Sequence, residues 1–402
     1  MVSRKSVGII AEYNPFHNGH KYHIEQTKRL TGAQGIIAVM SGNFVQRGGC
    51  AIADKYTRAK AALLGGADLV IELPVYYAAS VAPLFAYGAV KTADALGIAD
   101  FLSFGTEADS IDELTFAAEK LAHESDLIDA ETAKYANNLT GYPAARQAAL
   151  SALYNISPAL MQTPNNMLAI EYLRVLMSIN SSIVPIGIKR CGAQYHDSDI
   201  CGEYASAGAV RTVISHNGTI SSAVPEKVLS VYDAAKKCGK FPVFDKNFDK
   251  SIISYLRRCD ISSLSGILDM PQGFENRIIS MAKKARTIDE LTEMCCVRQY
   301  TRARIRRLIY ASYIGIRAMG YDKKPSYVRI LGMNSVGKQL LGAINKNCSL
   351  PVITKTADYA KKDRDELFML DITASDLYTA AYDTADIRGG AVDFTTSPIV
   401  ID

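Results

Sequence analysis

The chain has eight cysteines in 402 residues, but no C-x-x-C pair and no cysteine–histidine spacing of the kind that holds zinc. Cys295 and Cys296 are adjacent, too close for an unstrained mutual bridge. Scattered thiols of this sort point to a reducing cytoplasm rather than a disulfide scaffold. No apolar run is long enough to span a bilayer, and the opening MVSRKSVGII lacks a leader-cleavage pattern, so no membrane location is expected. Internal repeats and low-complexity tracts are absent. Charge of one sign is scarce too: 45 Lys and Arg against 41 Asp and Glu leave a net +4, which by itself demands no nucleic-acid partner. What remains is an ordinary globular composition, 48% hydrophobic and 21% charged, and a length that implies about two or three domains.

The most informative stretch is residues 7–20, VGIIAEYNPFHNGH. Gly8-Ile9-Ile10-Ala11 is a short apolar run suited to a parallel strand covered on both faces. Asn14-Pro15 ends it, because proline donates no N–H and restricts the residue before it. His17 and His20 are three apart and share a face of a new helix. They stand where unpaired N–H groups and the positive dipole end attract phosphate. Gly19 between them, with no side chain, lets a flat base and its ribose approach the backbone. Two histidines at this spacing are often a surface pair; the strand before, the helix after and the glycine between favour a nucleotide-phosphate site.

The first half alternates strand-like segments (7–12, 35–40, 68–73, 100–104 and 183–189) with helical patterns at 17–30, 54–64, 78–96 and 111–122. Asp54 is a plausible N-cap, and Gly65-Gly66 stops the helix that follows. Such alternation predicts an α/β fold, a Rossmann-like doubly wound parallel sheet whose ligands sit outside the carboxyl ends of the strands. The polar residues fall there: 14–20, Ser41-Gly42-Asn43, Glu72 and Gly105-Thr106-Glu107. A helical insertion covers roughly 126–177, with Pro164-Asn165-Asn166 as a polar turn capping the helix from Met167. Ser206 caps a further helix from which Arg211 projects. The stretch NGTISSAVP, 217–225, reads as a linker. The expected division is an α/β nucleotide-binding domain, 1–222, and a mostly helical domain, 223–402, with late strands at 327–331 and 351–354.

Several features have two readings. Glu72 in ADLVIELP is better read as a buried, satisfied carboxylate than as part of the site. Gln46-Arg47 either folds over substrate or is a solvated turn. His196-Asp197 has the look of a metal-binding pair, but no companion ligand spacing accompanies it, and Asp197 reads as an orienting or capping residue. Gly332 to Lys338 nearly spells a Walker A loop; Gln339 stands where the hydroxyl ligand for magnesium belongs, so the segment reads as a helix-start turn outside the wound sheet. Between Lys283 and Arg307 eight Lys and Arg face three acids. Arg302 and Arg306 form a stripe beside Tyr300 and Tyr310, which suits phosphate contact and base stacking unless it is merely a solvated face.

VGIIAEYNPFHNGH, SGNFVQRG (41–48), ADLVIELP (67–74), SFGTE (103–107), PNN (164–166) and IKR (188–190) together resemble the bacterial tRNA(Met) cytidine acetate ligase family, a branch of the HxGH nucleotidyltransferase superfamily. The resemblance continues in YTRARIRRLI (300–309) and YVRILGMNSVGK (327–338). The chain departs from it at Gly49-Cys50, where a charged residue and proline are expected, and at Gly208, where threonine is expected.

The resemblance implies an ATP-dependent enzyme that converts acetate to acetyl-adenylate and acetylates N4 of the wobble cytidine of elongator tRNA(Met). ATP, accompanied by Mg2+, is then a substrate, with no tightly bound cofactor, no metal held by a dedicated site and no obligate protein partner. The implied ATP site comprises Val7, Gly8, Ile9, Ile10, Ala11, Glu12, Tyr13, Asn14, Pro15, Phe16, His17, Asn18, Gly19 and His20, with Gly105, Asn165 (in preference to Asn166) and Arg190. His17 and His20 are the implied catalytic pair. With Lys21, Arg190 and Arg211 they would stabilise the phosphates by charge-assisted hydrogen bonds. Ser206 is a further phosphate contact, and Arg298, Arg302, Arg306 and Arg307 are the expected tRNA contacts. Two alternatives remain: an adenylyltransferase of a small phosphorylated metabolite, and a tRNA-binding protein with a vestigial nucleotide domain. An aminoacyl-tRNA synthetase is disfavoured, because no KMSKS-like lysine loop follows the sheet.

Overall fold

A computed structural model of the protein describes residues 5–136, 142–190, 204–320, 323–363 and 365–402. The pair His196-Asp197 lies outside the described residues. Ten strands occur among those described: β1 (Ser6–Ala11), β2 (Gly35–Ser41), β3 (Phe44–Val45), β4 (Gly49–Cys50), β5 (Leu69–Leu73), β6 (Phe101–Thr106), β7 (Val184–Lys189), β8 (Val328–Met333), β9 (Val352–Ile353) and β10 (Ile399–Val400). β3 and β4 form a separate hairpin. The others make one sheet in the order β10-β8-β5-β2-β1-β6-β7, with β9 on β8. From β5 to β7 every pair is parallel, with Val7 opposite Ile36 on one side and Phe101 on the other. The strand order reverses between β1 and β6, where open α/β sheets leave a crevice for ligands.

The expected strands are all present, and the helical insertion is the run Ser125–Ala136, Tyr142–Tyr154, Pro158–Gln162 and Pro164–Ser178. One expected helix is broken. The segment 78–96 becomes Val75–Ala78 and Ala82–Ala95, because Pro83 belongs in the first turn of a helix and cannot sit in the middle of a continuous one.

Three expectations about the second half are corrected. β8 runs antiparallel to β5 and carries β10 and β9 beside it, so the sheet itself crosses the expected boundary at 222. The Walker-like segment starts inside that sheet rather than outside it. Asn334 caps its helix and bonds Asp68 at 2.8 Å, and a Cβ on Gly337 would lie 2.0 Å from the Asp68 carbonyl. That close contact makes it a structural helix start, as read from Gln339. The supposed linker is also tied down: the Asn18 N–H donates to the Ala223 carbonyl at 2.8 Å, and Asn18 Nδ2 to Ser222.

The two halves are joined by a buried ionic cluster. Lys55 Nζ bonds Glu72 and Asp393, each at 2.8 Å, and Arg329 reaches Asp393 at 2.8 Å and Glu72 at 3.3 Å. Tyr56 and Ser375 hydroxyls complete the coordination of Asp393. Glu72 is therefore the satisfied core carboxylate the sequence implied. Burial alone would raise the Asp393 carboxyl, but Lys55 and Arg329 overcome it and hold it below the usual range. Two cations balance two anions, so removing one partner strands a charge in the core. Asp393→Ala is expected to lower the unfolding free energy by about 3–5 kcal/mol, read from urea denaturation at neutral pH; a loss under about 1 kcal/mol would mean the cluster is solvated.

Candidate active site

β1 leads into the site through Tyr13, which holds a left-handed φ of 47°. Arg58, wholly buried, fastens the turn there. Its guanidinium donates to the carbonyls of Glu12 (2.7 Å), Ser41 (3.0 Å), Ala53 (2.9 Å) and Gly42, gathering the ends of β1 and β2. Asn14 Oδ1 accepts from the Ile52 N–H at 2.8 Å, and the Asn14 carbonyl accepts from Arg211 at 2.6 Å. Phe16 N–H donates to the Tyr232 hydroxyl at 2.8 Å.

His17 caps the helix Asn18–Thr31. Its Nδ1 accepts from the Gly19 N–H at 3.1 Å, and His20 Nδ1 accepts from the His17 N–H at 3.2 Å, a reciprocal capping box built from two imidazoles. The rings lie with centroids 3.8 Å apart, tilted by 31° to each other. With both Nδ1 atoms accepting, each ring carries its proton on Nε2 and keeps one N–H to give. A Cβ on Gly19 would lie 2.9 Å from the His17 ring, so the glycine is required by the cap itself rather than by an approaching base. The first helical N–H groups are also taken, by His17 and by Ala223. The bare helix N–H groups expected to attract phosphate are therefore not free at this helix start.

A cavity of about 490 Å³ opens at the β1–β6 crevice. Of the expected ATP residues, Ile9 to Asn14, His17, Gly19, His20, Gly105, Asn165 and Arg190 line it, as do Ser206 and Arg211. Val7 and Phe16 lie buried beneath it, and Gly8, Pro15 and Asn18 stand outside its wall. Asn165 faces the cavity and donates to Glu107. Asn166 instead accepts from the Thr106 hydroxyl and the Glu107 and Ala108 N–H groups, which buries it as a loop brace. Lys21 does not reach the cavity: it is exposed and pairs with Glu25 at 3.7 Å.

The model of the HIGH Nucleotidyl Transferase family matches residues 4–391. A tRNA(Met) cytidine acetate ligase of Acetivibrio thermocellus is 37% identical, covering 99% of this chain and 100% of that one. One from Caldanaerobacter subterraneus is 42% identical, covering 94% and 96%. The chain belongs to the tRNA(Met) cytidine acetate ligase family. The crystal structure of apo Thermotoga maritima TmcAL superposes with a TM-score of 0.93 at 31% identity, over 99% of both chains. The same protein bound with alpha-thio ATP gives 0.91 at 30% identity, again over 99% of both.

Within this family member the charge of the site comes from arginine rather than histidine. Burial, reinforced by Arg190 and Arg211, lowers His17 to about 3, and burial with Arg190 lowers His23 to about 4. Burial and the neighbouring His17 and His23 push His20 well below the ordinary value. The imidazoles are neutral donors at neutral pH, so the expected charge-assisted bonds reduce to Arg190 and Arg211, joined by Arg47 and Arg306. His23 was absent from the sequence-based set, although its position one helical turn after His20 was a usable signal. Its Nε2 meets Ser103 Oγ at 2.8 Å.

Gln46-Arg47-Gly48 lines the cavity, so it is not a mere solvated turn. Gly48 has φ 74°, and a Cβ there would meet Arg307 N at 2.3 Å. The loop rests on the helix Arg302–Ile314 through Arg306 Nε to the Gly48 carbonyl (2.8 Å) and Arg307 to the Gln46 carbonyl (3.4 Å). Arg306 also bonds Asp245 and Asp289, Arg304 holds Asp269 at 2.7 Å, and Arg302 pairs with Glu293 and Asp289. The expected free stripe is thus largely spent on internal partners, and it adjoins the cavity instead of lying apart from it. Arg298 stays exposed.

The lowered His23 gives a signed pH effect. The unfolded chain binds a proton near pH 6.5 that the folded protein refuses until about 4, so this contribution is complete above 6.5 and lost as the pH falls toward 4. His23→Gln is expected to flatten the fall in urea-unfolding free energy between pH 6.5 and 4 by up to about 1.4 kcal/mol per unit. Parallel curves for variant and parent would mean that His23 titrates normally in the fold.

Proposed function

We propose that the chain catalyses ATP-dependent formation of N4-acetylcytidine in elongator tRNA(Met), through acetyl-adenylate. The observation that carries this is the convergence of the His17–His20 capping box with Gly105, Asn165, Arg190 and Arg211 around one crevice at the strand-order reversal. A carboxylate oxygen of acetate bonds to the α-phosphorus as the bond to the bridging oxygen breaks and pyrophosphate leaves. The cytidine N4 then bonds to the acetyl carbon, the carbon–oxygen bond to AMP breaks, and N4 gives up one proton. Neutral Nε2–H donors on His17 and His20 would bind the phosphate oxygens, while Arg190 and Arg211 offset the charge that spreads over them. Neither step asks the protein for a covalent bond; alignment and charge do the work.

Among the described residues no group of three His, Cys, Asp or Glu is placed to hold a metal. The cavity carboxylates are engaged as well, Glu12 by the Gln46 N–H and Asp245 by Arg306 and Tyr310. An ion travelling with ATP is held by phosphate oxygens and water.

Incubation with ATP, labelled acetate and elongator tRNA(Met), followed by nucleoside analysis, tests the reading. Label in N4-acetylcytidine supports it; AMP transfer to a small phosphorylated acceptor, or tRNA binding without turnover, would replace it. His17→Ala and His20→Ala should each cost about a hundredfold in rate, roughly the loss of one transition-state donor. Parent-like turnover in both variants would move the site elsewhere.

The exposed part of the basic region is the proposed tRNA face. Arg298→Gln with Arg302→Gln should weaken tRNA binding and flatten its salt dependence, because phosphate contacts release counterions, with ATP affinity little changed. Arg306→Gln should weaken ATP binding too, since Arg306 braces the 46–48 loop. Unchanged tRNA affinity and salt slope in the double variant would make this an ordinary solvated face.

A further inference from the structure

One side of the cavity is apolar. Ile10, Phe85, Phe104, Leu168 and Tyr172 all line it and all belong to a single hydrophobic cluster. Asn165, Leu168 and Tyr172 are spaced by three and then four on the helix Pro164–Ser178, so one helix face runs from a polar residue in the first turn to a phenol two turns further on. Phe104, next to Gly105 on β6, meets the Tyr172 ring with centroids 5.7 Å apart. Phe85 enters from the helix Ala82–Ala95. Phe85, Phe104 and Tyr172 are 3%, 2% and 5% exposed, so this side is backed by core rather than by solvent.

Tyr172 carries the polar atom of this wall. Burial and the charge of Glu12 push its ionisation far up, so the hydroxyl of this cavity-lining residue keeps its proton and can act as a neutral donor. A phenol donor on an otherwise apolar cavity wall favours an occupant that accepts from it at that one point. The occupant must therefore be mostly apolar, small, and provided with one acceptor at the phenol. Adenine and cytosine each present several donors and acceptors on their edges, which four hydrocarbon side chains would leave unpaired. Cytosine also arrives from outside on a tRNA loop. A short carboxylic acid fits both requirements.

We infer that this wall is the acyl subsite, with the methyl group of acetate against Leu168 and Phe85 and one carboxylate oxygen accepting from the Tyr172 hydroxyl. The inference rests on the acetate-activating function proposed above. The second oxygen is left for the α-phosphorus, and Arg47, Arg190 and Arg211, which share one electrostatic neighbourhood with Glu12, supply the positive field that draws in an anion. Selection for acetate is then steric. One further methylene presses on Leu168 and Phe85, which the close-packed core behind them cannot relieve.

The test uses the full chain with ATP and elongator tRNA(Met), comparing labelled acetate with labelled propionate. Leu168→Ala should raise the propionate-to-acetate ratio of kcat/KM by about tenfold or more, the scale of one methylene in an apolar pocket. Tyr172→Phe should raise KM for acetate by about tenfold, the size of one lost hydrogen bond, with KM for ATP within about twofold. An unchanged acid ratio in a Leu168→Ala protein that still acetylates tRNA overturns the subsite. So does a Tyr172→Phe protein whose KM rises for ATP instead of acetate. Should Leu168→Ala fail to fold, Tyr172→Phe, which keeps the ring, decides between these outcomes alone. If the parent protein transfers no label from acetate, the proposed function itself falls, and the subsite with it; transfer by the parent with indifferent variants removes only the subsite.

Discussion

A single buried guanidinium sets the geometry on which the site depends. Arg58 donates to the carbonyls of Glu12, Ser41 and Gly42, at the ends of two parallel strands, and of Ala53, just before its own helix, groups otherwise left unpaired there. Such groups cost about 1–3 kcal/mol each when orphaned. Collecting them on one planar cation fixes β1 relative to β2 and aims Tyr13 and Asn14 at the crevice. Asn14 then takes Ile52 and Arg211 as partners, and the chain enters the His17 cap in one orientation. The cation is satisfied by carbonyl dipoles rather than by a carboxylate, so it organises the turn without adding an anion beside a phosphate site.

The site divides its tasks between neutral donors and fixed charges. His17 and His20 hold each other through a capping box, which spends Nδ1 on the backbone and leaves Nε2–H as the donor. Burial and nearby arginines keep both rings uncharged. The positive potential is left to guanidiniums, which remain protonated at any working pH. A neutral imidazole between arginines is easier to bury than an imidazolium, and its donor geometry is preset by the helix it caps.

The second half of the chain holds the first together. β8 pairs with β5, Arg329 on β8 meets Lys55 and Glu72, and Asp393 close to the C-terminus closes the cluster. Ser222 and Ala223, from the region that reads as a linker, and Tyr232, on the helix Glu226–Lys237 after it, also hold the motif. Arg306 and Arg307 carry the 46–48 loop in the same way. A helix rich in basic residues is thus also a support for the cavity, because it carries the loop that lines it.

The sequence by itself determined the parallel sheet, its strand positions, the helical insertion and the HxGH turn, because each is written in local period, proline placement and capping chemistry. It also assigned Glu72 to the core, whereas the division of roles between Asn165 and Asn166 needed the fold. Local signals could not locate Lys21, which points to Glu25 and solvent, nor reveal that Arg302, Arg304 and Arg306 meet carboxylates from elsewhere in the fold. They could not show that the histidines are neutral either, since that follows from how much chain packs around them. Only the tertiary structure decided that β8 to β10 complete the sheet, that His23 and the 46–48 loop reach the cavity, and that Phe85, Phe104 and Tyr172 share one wall. Those contacts join residues tens to hundreds of positions apart, and no short-range pattern encodes which distant side chain will meet a given charge or fill a given face.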